Sequence, residues 1–175
     1  MRSRIEHFRR SLEKGGLASS DFDLNPDTVL PAGRKLRPAG VLAPIVEDAG
    51  GLSLLLTRRS AALKHHPGQI AFPGGKQDEG DADVVAAALR EADEEIGLPP
   101  TSVEVIGTLP IHETVTGFTV TPVIGLVTKP FDIRPEAGEV EEVFRVPLDH
   151  VLDPARYFVQ SRRWRGQMRH YFVVP

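Results

Sequence analysis

Cysteine is absent from this chain of 175 residues, and its absence excludes several kinds of chemistry. Without a thiol the protein has no disulfide, no cysteine nucleophile and no cysteine-based zinc site. The absence suggests a reducing compartment, and we predict a cytoplasmic location. The length suits one domain built around a single hydrophobic core.

Long apolar runs and a strong net charge are also missing. The longest apolar run, residues 122–127, is far shorter than the ~20 residues that a membrane helix needs. The formal net charge of −3 gives no electrostatic reason to expect nucleic-acid binding. We therefore predict no membrane partner and no nucleic-acid partner.

The first residues lack the apolar core of a secretory signal and are instead basic and amphipathic. Ile5, Phe8 and Leu12 fall on one face of a predicted helix. We interpret it as a short helix that packs on the domain or on a partner; a transit peptide or a membrane-surface helix is the alternative. Loop-like sequence follows, so we predict an N-terminal helix and loop extension over residues 1–37 and the main domain over residues 38–175.

The rest of the chain mixes short apolar runs with one long helical pattern. Residues 40–46 and 52–57 predict a hairpin, because Asp-Ala-Gly-Gly joins them at 48–51. Residues 58–77 predict a long ordered loop. The other predicted elements are a helix over 81–97, strands over 102–108, 118–127 and 143–146, a helical turn over 148–152, and a hairpin of 157–160 and 168–173 around a polar turn. This pattern predicts an α/β fold with a mixed sheet.

The predicted helix over residues 81–97 is the most informative segment, because it carries several carboxylates. Its apolar positions form the stripe that docks on a core, namely Val85, Leu89, Ala92 and Ile96. Glu91 and Glu95 are four residues apart, so their side chains stack on one flank of that stripe, and Glu94 lies one step further round. Like charges at this spacing repel, which favours a cation between them. Mg²⁺ binds through one or two carboxylates plus substrate phosphates, and the pattern fits that preference.

A solvated helix face is the alternative interpretation of these glutamates. Two features argue against it. Glycines close both ends of the segment, with Gly74 and Gly75 before the helix and Gly97 as the predicted C-terminal cap. Arg90 lies beside the glutamates and can hold a carboxylate in one rotamer.

This stretch resembles the Nudix box of the pyrophosphohydrolase superfamily. The matching residues are Gly74, Gly75, Asp81, Arg90, Glu91, Glu94, Glu95 and Gly97. Asp81 departs from the general box, which has a glutamate there and one residue fewer before the arginine.

A second motif upstream makes the chain similar to the coenzyme A pyrophosphatase-like Nudix proteins. The match consists of Leu-Leu-Thr-Arg-Arg-Ser at 55–60 and Gly-Gln-Ile-Ala-Phe-Pro-Gly-Gly at 68–75, with Lys64 between them. The subfamily has arginine in place of Lys64 and valine in place of Ile70. Lysine keeps the charge but lacks the planar fork that binds a phosphate through two hydrogen bonds. The resemblance covers residues 38–175.

The resemblance implies an α/β/α sandwich with a mixed β-sheet and a bound divalent metal, Mg²⁺ or Mn²⁺. Glu91 and Glu95 would be metal ligands, and Glu94 would be a third ligand or the group that orients water. Arg90 would orient Glu91 or Glu94. Asp81 would either cap the helix or belong to the site, and we favour the cap.

The implied reaction is hydrolysis of the diphosphate of coenzyme A, or of its thioesters, to 3′,5′-ADP and 4′-phosphopantetheine or its acyl form. Arg58, Arg59 and Lys64 would bind the substrate phosphates, and the amides of Gly74 and Gly75 would approach a phosphate or the metal's waters. The general base stays open among four carboxylates: Glu94, Glu139, Glu141 and Glu142.

Three other functions remain open. One is pyrophosphohydrolysis of another nucleoside diphosphate derivative, such as ADP-ribose, a dinucleotide or a nucleoside triphosphate. The second is a non-catalytic Nudix domain that senses a nucleotide, although all three box glutamates are present. The third is a structural protein in which the glutamates have no chemical role. Related proteins normally continue into a C-terminal helix, so we expect a tail beyond Pro175. A homodimer through the N-terminal helix is a further interpretation.

Overall fold

The computed structural model describes residues 2–29, 32–63, 66–164 and 166–175. The helices in this part of the chain are α1 (Arg2–Glu13), α2 (Val84–Ile96) and α3 (Leu148–Leu152). The strands are β1 (Ser19–Ser20), β2 (Arg37–Asp48), β3 (Gly51–Arg59), β4 (Ile70–Ala71), β5 (Gly74–Lys76), β6 (Val103–Thr108), β7 (His112–Glu113), β8 (Phe118–Val127), β9 (Val140–Pro147), β10 (Phe158–Trp164) and β11 (Gln167–Val173).

Among the described residues, nine strands form one mixed sheet. Its central path runs β1-β7-β8-β2-β3-β4, with β5 also paired to β2, β6 to β8 and β9 to β3. β2 is parallel to β8 and antiparallel to β3. β10 and β11 form a separate antiparallel hairpin. The antiparallel pairing of β2 with β3 confirms the predicted hairpin over residues 40–57.

Side chains alternate between the two faces along each central strand, and both faces are buried. One face packs against α2, and its core residues include Leu42, Leu55, Ala88, Ala92 and Ile96. The opposite face packs against α1 and α3, and its core residues include Ile5, Ala43, Ile45, Leu54 and Leu148. Helices cover both faces of the sheet, which confirms the predicted α/β/α sandwich.

The N-terminal helix packs on its own chain. Ile5 is buried, and Phe8 and Leu12 pack against the same core cluster. β1 then joins the edge of the sheet by pairing with β7. Residues before β2 thus add a helix and an edge strand to the sheet, and the division of the chain at residue 37 stays a prediction. No helix in the described ranges is long and apolar enough to cross a membrane.

Several predicted element bounds are wrong, for local reasons. The acidic helix begins at Val84 rather than at residue 81, because Asp83 caps it. Part of the predicted loop over 58–77 forms β4 and β5, which are too short to show a periodic pattern. The strands of the last hairpin extend through the predicted polar turn, since cross-strand pairing continues to Trp164 and Gln167.

Candidate active site

Helix α2 is held at both ends by capping hydrogen bonds. At its N-terminus the amide of Ala86 donates to the Asp83 carboxylate at 2.8 Å. At its C-terminus Gly97 adopts a left-handed φ of 71°, and its amide donates to the carbonyl of Asp93 at 2.9 Å. The predicted C-terminal cap at Gly97 is therefore confirmed. These two caps determine which residues of the acidic segment are helical.

A glycine in the sheet lets the helix approach closely. A Cβ added to Gly40 of β2 would lie 2.0 Å from the carbonyl oxygen of Val84, the first residue of α2. Only a residue without a side chain fits between strand and helix there. The close contact brings the acidic flank of α2, which carries Glu91 and Glu95, against β5.

Two glycines of β5 lie directly against the carboxylates. The amide of Gly74 donates to Oε2 of Glu95 at 3.3 Å. A Cβ added to Gly75 would lie 2.5 Å from the carboxyl group of Glu91. Gly74 itself has a φ of 154°, and a Cβ there would lie 2.4 Å from the carbonyl oxygen of Gly40. The structure thus brings both predicted glycines to the acidic flank; their approach to a phosphate or to metal waters stays a prediction.

Arg90 is the centre of the charge network. Its Nε and Nη2 donate to the two oxygens of Asp81, both at 2.9 Å. Its Nη1 donates to Glu91 at 3.0 Å and to Glu94 at 3.1 Å. Its Nη2 also reaches the carbonyl of Lys76 at 3.3 Å. One guanidinium therefore holds three carboxylates, two of them from the predicted metal site.

Asp81 does not cap the helix, so the favoured prediction for this residue is wrong. Its side chain is only 7% exposed and faces Arg90, while Asp83 takes the capping position. Asp81 lies before the first turn of α2, and its carboxylate accepts two hydrogen bonds from Arg90 in the middle of that helix. The Arg90 guanidinium lowers the pKa of the Asp81 carboxyl to about 2, and the amide of Asp78 adds to this effect. The capping signal that sequence reasoning missed is Asp83, an N-cap residue directly before the first helical valine.

Burial dominates the electrostatics of the two stacked glutamates. Glu95 is 6% exposed, and burial raises its pKa to about 7; the Gly74 amide opposes the rise and the charge of Glu91 adds to it. Burial also raises the pKa of Glu91, against the opposing hydrogen bond from Arg90. Glu94 is well exposed. The pair Glu91 and Glu95 is thus a poorly solvated site of negative charge that a cation would stabilise.

The carboxylates fit a Mg²⁺ or Mn²⁺ ion that also binds substrate. In the described ranges no three acidic or histidine side chains converge as a ready-made metal cage. Mg²⁺ does not need one, since it usually binds through one or two carboxylates plus phosphate oxygens and water. Glu95 and Glu91 supply such a pair.

The two predicted arginines of β3 point to opposite faces of the sheet. Arg58 pairs with Glu142 of β9 at 3.1 Å, and both side chains are about half exposed. Arg59 lies on the same face as α2, by strand alternation from Leu55, and its charge acts on the carboxyl of Glu95. The structure therefore brings Arg59, but not Arg58, towards the glutamates. Lys64 lies outside the described residues.

The fold also separates the glutamates at the start of β9 from one another. The charge of Glu139 raises the pKa of both Glu91 and Glu95. Its carbonyl accepts a hydrogen bond from the amide of Ser60 at 2.8 Å, which ties it to the end of β3 next to Arg59. Glu142 is engaged by Arg58 on the opposite face. Of the candidate bases outside the helix, Glu139 is the one whose charge acts on the site.

Comparison with known proteins gives concordant matches. The family model described as NUDIX domain matches residues 36–165. A Citrobacter koseri protein named "Uncharacterized Nudix hydrolase NudL" is 48% identical over 145 residues, which cover 78% of this chain and 75% of that protein. The crystal structure of RenU, a Nudix hydrolase from M. smegmatis, is similar with a TM-score of 0.51 and 28% identity, over 67% of this chain and 73% of that one. The NUDIX domain of Shewanella oneidensis NrtR, solved with ADP ribose, is similar in fold, with a TM-score of 0.53 and 19% identity over 74% of this chain and 84% of that one.

Proposed function

Because the chain belongs to the Nudix hydrolase family, we propose that it hydrolyses the diphosphate of coenzyme A or of its thioesters. The products would be 3′,5′-ADP and 4′-phosphopantetheine or its acyl form. The observation that carries the proposal is the stacked, poorly solvated pair of Glu91 and Glu95, with the charge of Arg59 on β3 acting on Glu95. A carboxylate pair of this kind needs a cation, and a diphosphate needs both cations and a guanidinium.

The metal site is proposed from the donor set. Nudix hydrolases generally use divalent ions such as Mg²⁺ or Mn²⁺. Glu95 and Glu91 would hold the ion, with Glu94 as a third ligand or as the group that orients water. When bound, a divalent cation would neutralise diphosphate oxygens and make a bound water more acidic. Arg90 would then act as a positioning residue, because it holds Glu91 and Glu94 and is itself held by Asp81.

Glu139 is our proposed general base. Glu94 already accepts a hydrogen bond from Arg90, so its carboxylate has a cationic partner. Glu139 forms no ion pair with any described residue, yet its charge acts on both buried glutamates. A carboxylate that has no cationic partner among the described residues, and whose charge acts on the proposed metal ligands, would accept a proton from an attacking water.

Specificity for coenzyme A is supported by the upstream motif rather than by the metal site. The resemblance over residues 55–60 and 68–75 extends into β3, β4 and β5, and β5 lies against the acidic flank of α2. Arg59 belongs to that motif, and its guanidinium would bind the substrate diphosphate. Lys64 in place of arginine is the observation that favours the second candidate, a different nucleoside diphosphate derivative such as ADP-ribose.

Product identification by mass spectrometry tests the proposal. The protein would be incubated with Mg²⁺ or Mn²⁺ and coenzyme A, with ADP-ribose, NADH and a nucleoside triphosphate in parallel. We expect 3′,5′-ADP and phosphopantetheine from coenzyme A, and none from the Glu95→Gln variant. Cleavage of ADP-ribose in preference to coenzyme A would establish the second candidate instead. If none of the four compounds is cleaved, the result would favour a non-catalytic domain that senses a nucleotide.

A further inference from the structure

The segment over residues 132–139, between β8 and β9, is exposed and contains no helix or strand, yet its backbone is held in place. The last carbonyls of a helix have no partner within that helix, and this segment provides partners for two of them. The amide of Arg134 donates to the carbonyl of Ile96 at 3.0 Å. The amide of Glu136 donates to the carbonyl of Glu95 at 2.9 Å. The 132–139 segment is therefore attached to the C-terminal end of α2.

Gly97 gives the segment room to lie against the helix end. This residue caps α2 with a left-handed φ of 71°. A Cβ added to it would lie 3.2 Å from the Cβ of Arg134 and 3.3 Å from the carbonyl oxygen of Asp132. Both distances are shorter than the optimal separation of non-bonded atoms. The same glycine thus ends the helix and permits the close approach of the 132–139 segment.

The attached segment ends at Glu139, the proposed general base. The carbonyl of Glu136 accepts hydrogen bonds from the amides of Glu139 at 3.1 Å and Val140 at 2.8 Å, which closes a turn. The carbonyl of Glu139 in turn accepts from the amide of Ser60 at 2.8 Å, directly after β3. The backbone of Glu139 is therefore joined both to the helix that carries Glu95 and to the end of β3.

The carboxylate of Glu136 adds a further hydrogen bond to this turn. Its Oε2 accepts from the amide of Gly138 at 2.8 Å, two residues ahead in the chain. A side-chain acceptor that binds a nearby backbone amide holds the chain in one local conformation. Glu136 is exposed and forms no ion pair with any described residue. Its side chain is thus engaged with the turn that leads into Glu139.

We propose that Glu136 is a positioning residue that sets the place of Glu139 relative to Glu95. This role rests on the proposed function, in which Glu139 accepts a proton from the attacking water. Glu95 then acts twice, because its carboxylate would hold the metal ion while its carbonyl holds the segment that carries the base. A misplacement of about 1 Å can lower a rate on the order of 10²-fold, so loosening of the turn should lower kcat.

Steady-state kinetics of Glu136 variants test the proposal, on coenzyme A or on ADP-ribose if that compound is the one cleaved. We expect Glu136→Ala to lower kcat about tenfold and to change KM less than about twofold, because the residue acts on the base and not on substrate binding. Glu136→Gln should keep kcat within about twofold of wild type, since its amide oxygen can still accept from the Gly138 amide.

Asp132→Ala is the matched control for these kinetics. Asp132 is an exposed acidic residue of the same segment and forms no ion pair with any described residue. Its removal should leave kcat unchanged. Equal kcat values for Glu136→Ala and Asp132→Ala would overturn the proposal. Thermal melting of each variant distinguishes a loosened turn from a lost fold.

A double-mutant cycle with Glu139→Gln shows whether Glu136 acts through the base. Glu139→Gln alone should lower kcat about 10²- to 10⁴-fold, the range for a lost general base. In that background Glu136→Ala should lower kcat less than about twofold further. A full tenfold loss in both backgrounds, about the same in each, would overturn the positioning role and leave the base assigned. Unchanged kcat in Glu139→Gln would instead remove the proposed base, and the positioning role with it.

Amide hydrogen exchange on the metal-free protein tests the turn without any substrate. We expect the Gly138 amide to be protected in wild type and in Glu136→Gln, and to exchange at least about tenfold faster in Glu136→Ala. The amides at positions 134 and 136 should stay protected in all three proteins, because they donate to carbonyls of α2. A Gly138 amide that exchanges equally fast in wild type and in Glu136→Ala would overturn the proposed role of the Glu136 carboxylate, whichever compound the protein cleaves.

Discussion

The acidic flank of α2 and the β10–β11 hairpin differ in whether their charged side chains have partners within the chain. Along and just before α2 the carboxylates have partners: the Gly74 amide donates to Glu95, and the Arg90 guanidinium binds Asp81, Glu91 and Glu94. On the hairpin, Arg162 and Arg163 are exposed and form no ion pair with any described residue, and apolar side chains beside them are open to solvent. Charges with a partner in the chain keep fixed positions, which chemistry requires, whereas charges without one can be paired by another molecule.

The carboxylates of α2 also differ from one another, because they are not equally exposed to solvent. Glu95 and Glu91 are less exposed than Glu94, so desolvation favours a bound cation at that pair more than on a solvated face.

Removal of the buried carboxylate should have the largest effect. We expect Glu95→Gln to lower kcat on the order of 10³-fold, because losing a metal ligand removes several kcal/mol of charge stabilisation. The variant should nevertheless be folded. Burial raises the pKa of Glu95 to about 7, so at pH 8 its charge destabilises the metal-free fold, and glutamine should stabilise it by on the order of 1–3 kcal/mol. A loss of both activity and thermal stability in metal-free buffer would contradict the assignment.

A methyl group at Gly75 should displace the second glutamate. The added Cβ would lie 2.5 Å from the Glu91 carboxyl, so this side chain must leave its position. We expect Gly75→Ala to lower kcat about 10–100-fold, the effect of misplacing a catalytic group by about 1 Å. Gly80→Ala is the matched control, since a Cβ there meets nothing within 4 Å. Equal activity of both variants in steady-state assays would show that the position of Glu91 is unimportant.

The adjacent arginines of β3 give a matched pair on opposite faces. Arg59→Gln should lower kcat/KM about 10–100-fold, because it removes a charge-assisted bond to the substrate. Arg58→Gln should change kcat/KM less than about twofold, since it breaks only an exposed ion pair with Glu142. Kinetics on coenzyme A and on ADP-ribose would compare the two variants. The reverse order of effects would place the substrate on the other face of the sheet.

The smallest effect is expected for Asp81→Asn, which should change the stability of the fold in a pH-dependent way. Arg90 lowers the pKa of Asp81 from 3.8 to about 2, so this carboxylate stabilises the fold above pH 4, and its contribution is lost as the pH falls towards 2. We expect Asp81→Asn to be less stable than wild type at pH 6 and the difference to shrink between pH 4 and 2. Urea unfolding midpoints at several pH values measure this, with Asp93→Asn as the control on the exposed side of α2. A difference that does not depend on pH would show that the ion pair adds no stability.

Local sequence determined the parts of the structure that depend on near neighbours. The apolar period of the acidic helix, its glycine cap and the first hairpin are set by residues a few positions apart, so their patterns are readable in the chain. The stacking of Glu91 and Glu95 on one flank follows from the helical repeat alone. The helix start was misjudged because Asp81 and Asp83 are both good caps, and only the path of the turn selects between them.

Tertiary structure decided what depends on distant residues. Sequence places Arg58 and Arg59 side by side, but the sheet sends them to opposite faces, and only α2 makes one face the site. Glu139 is 44 positions beyond Glu95 in the numbering, and its charge reaches that carboxylate because β9 pairs with β3. Burial, which raises the pKa of Glu95, exists only once helix and sheet are packed. Spacing along the chain therefore predicted the stacked carboxylates, while the long-range contacts of the sheet selected which charged groups lie together in one desolvated region.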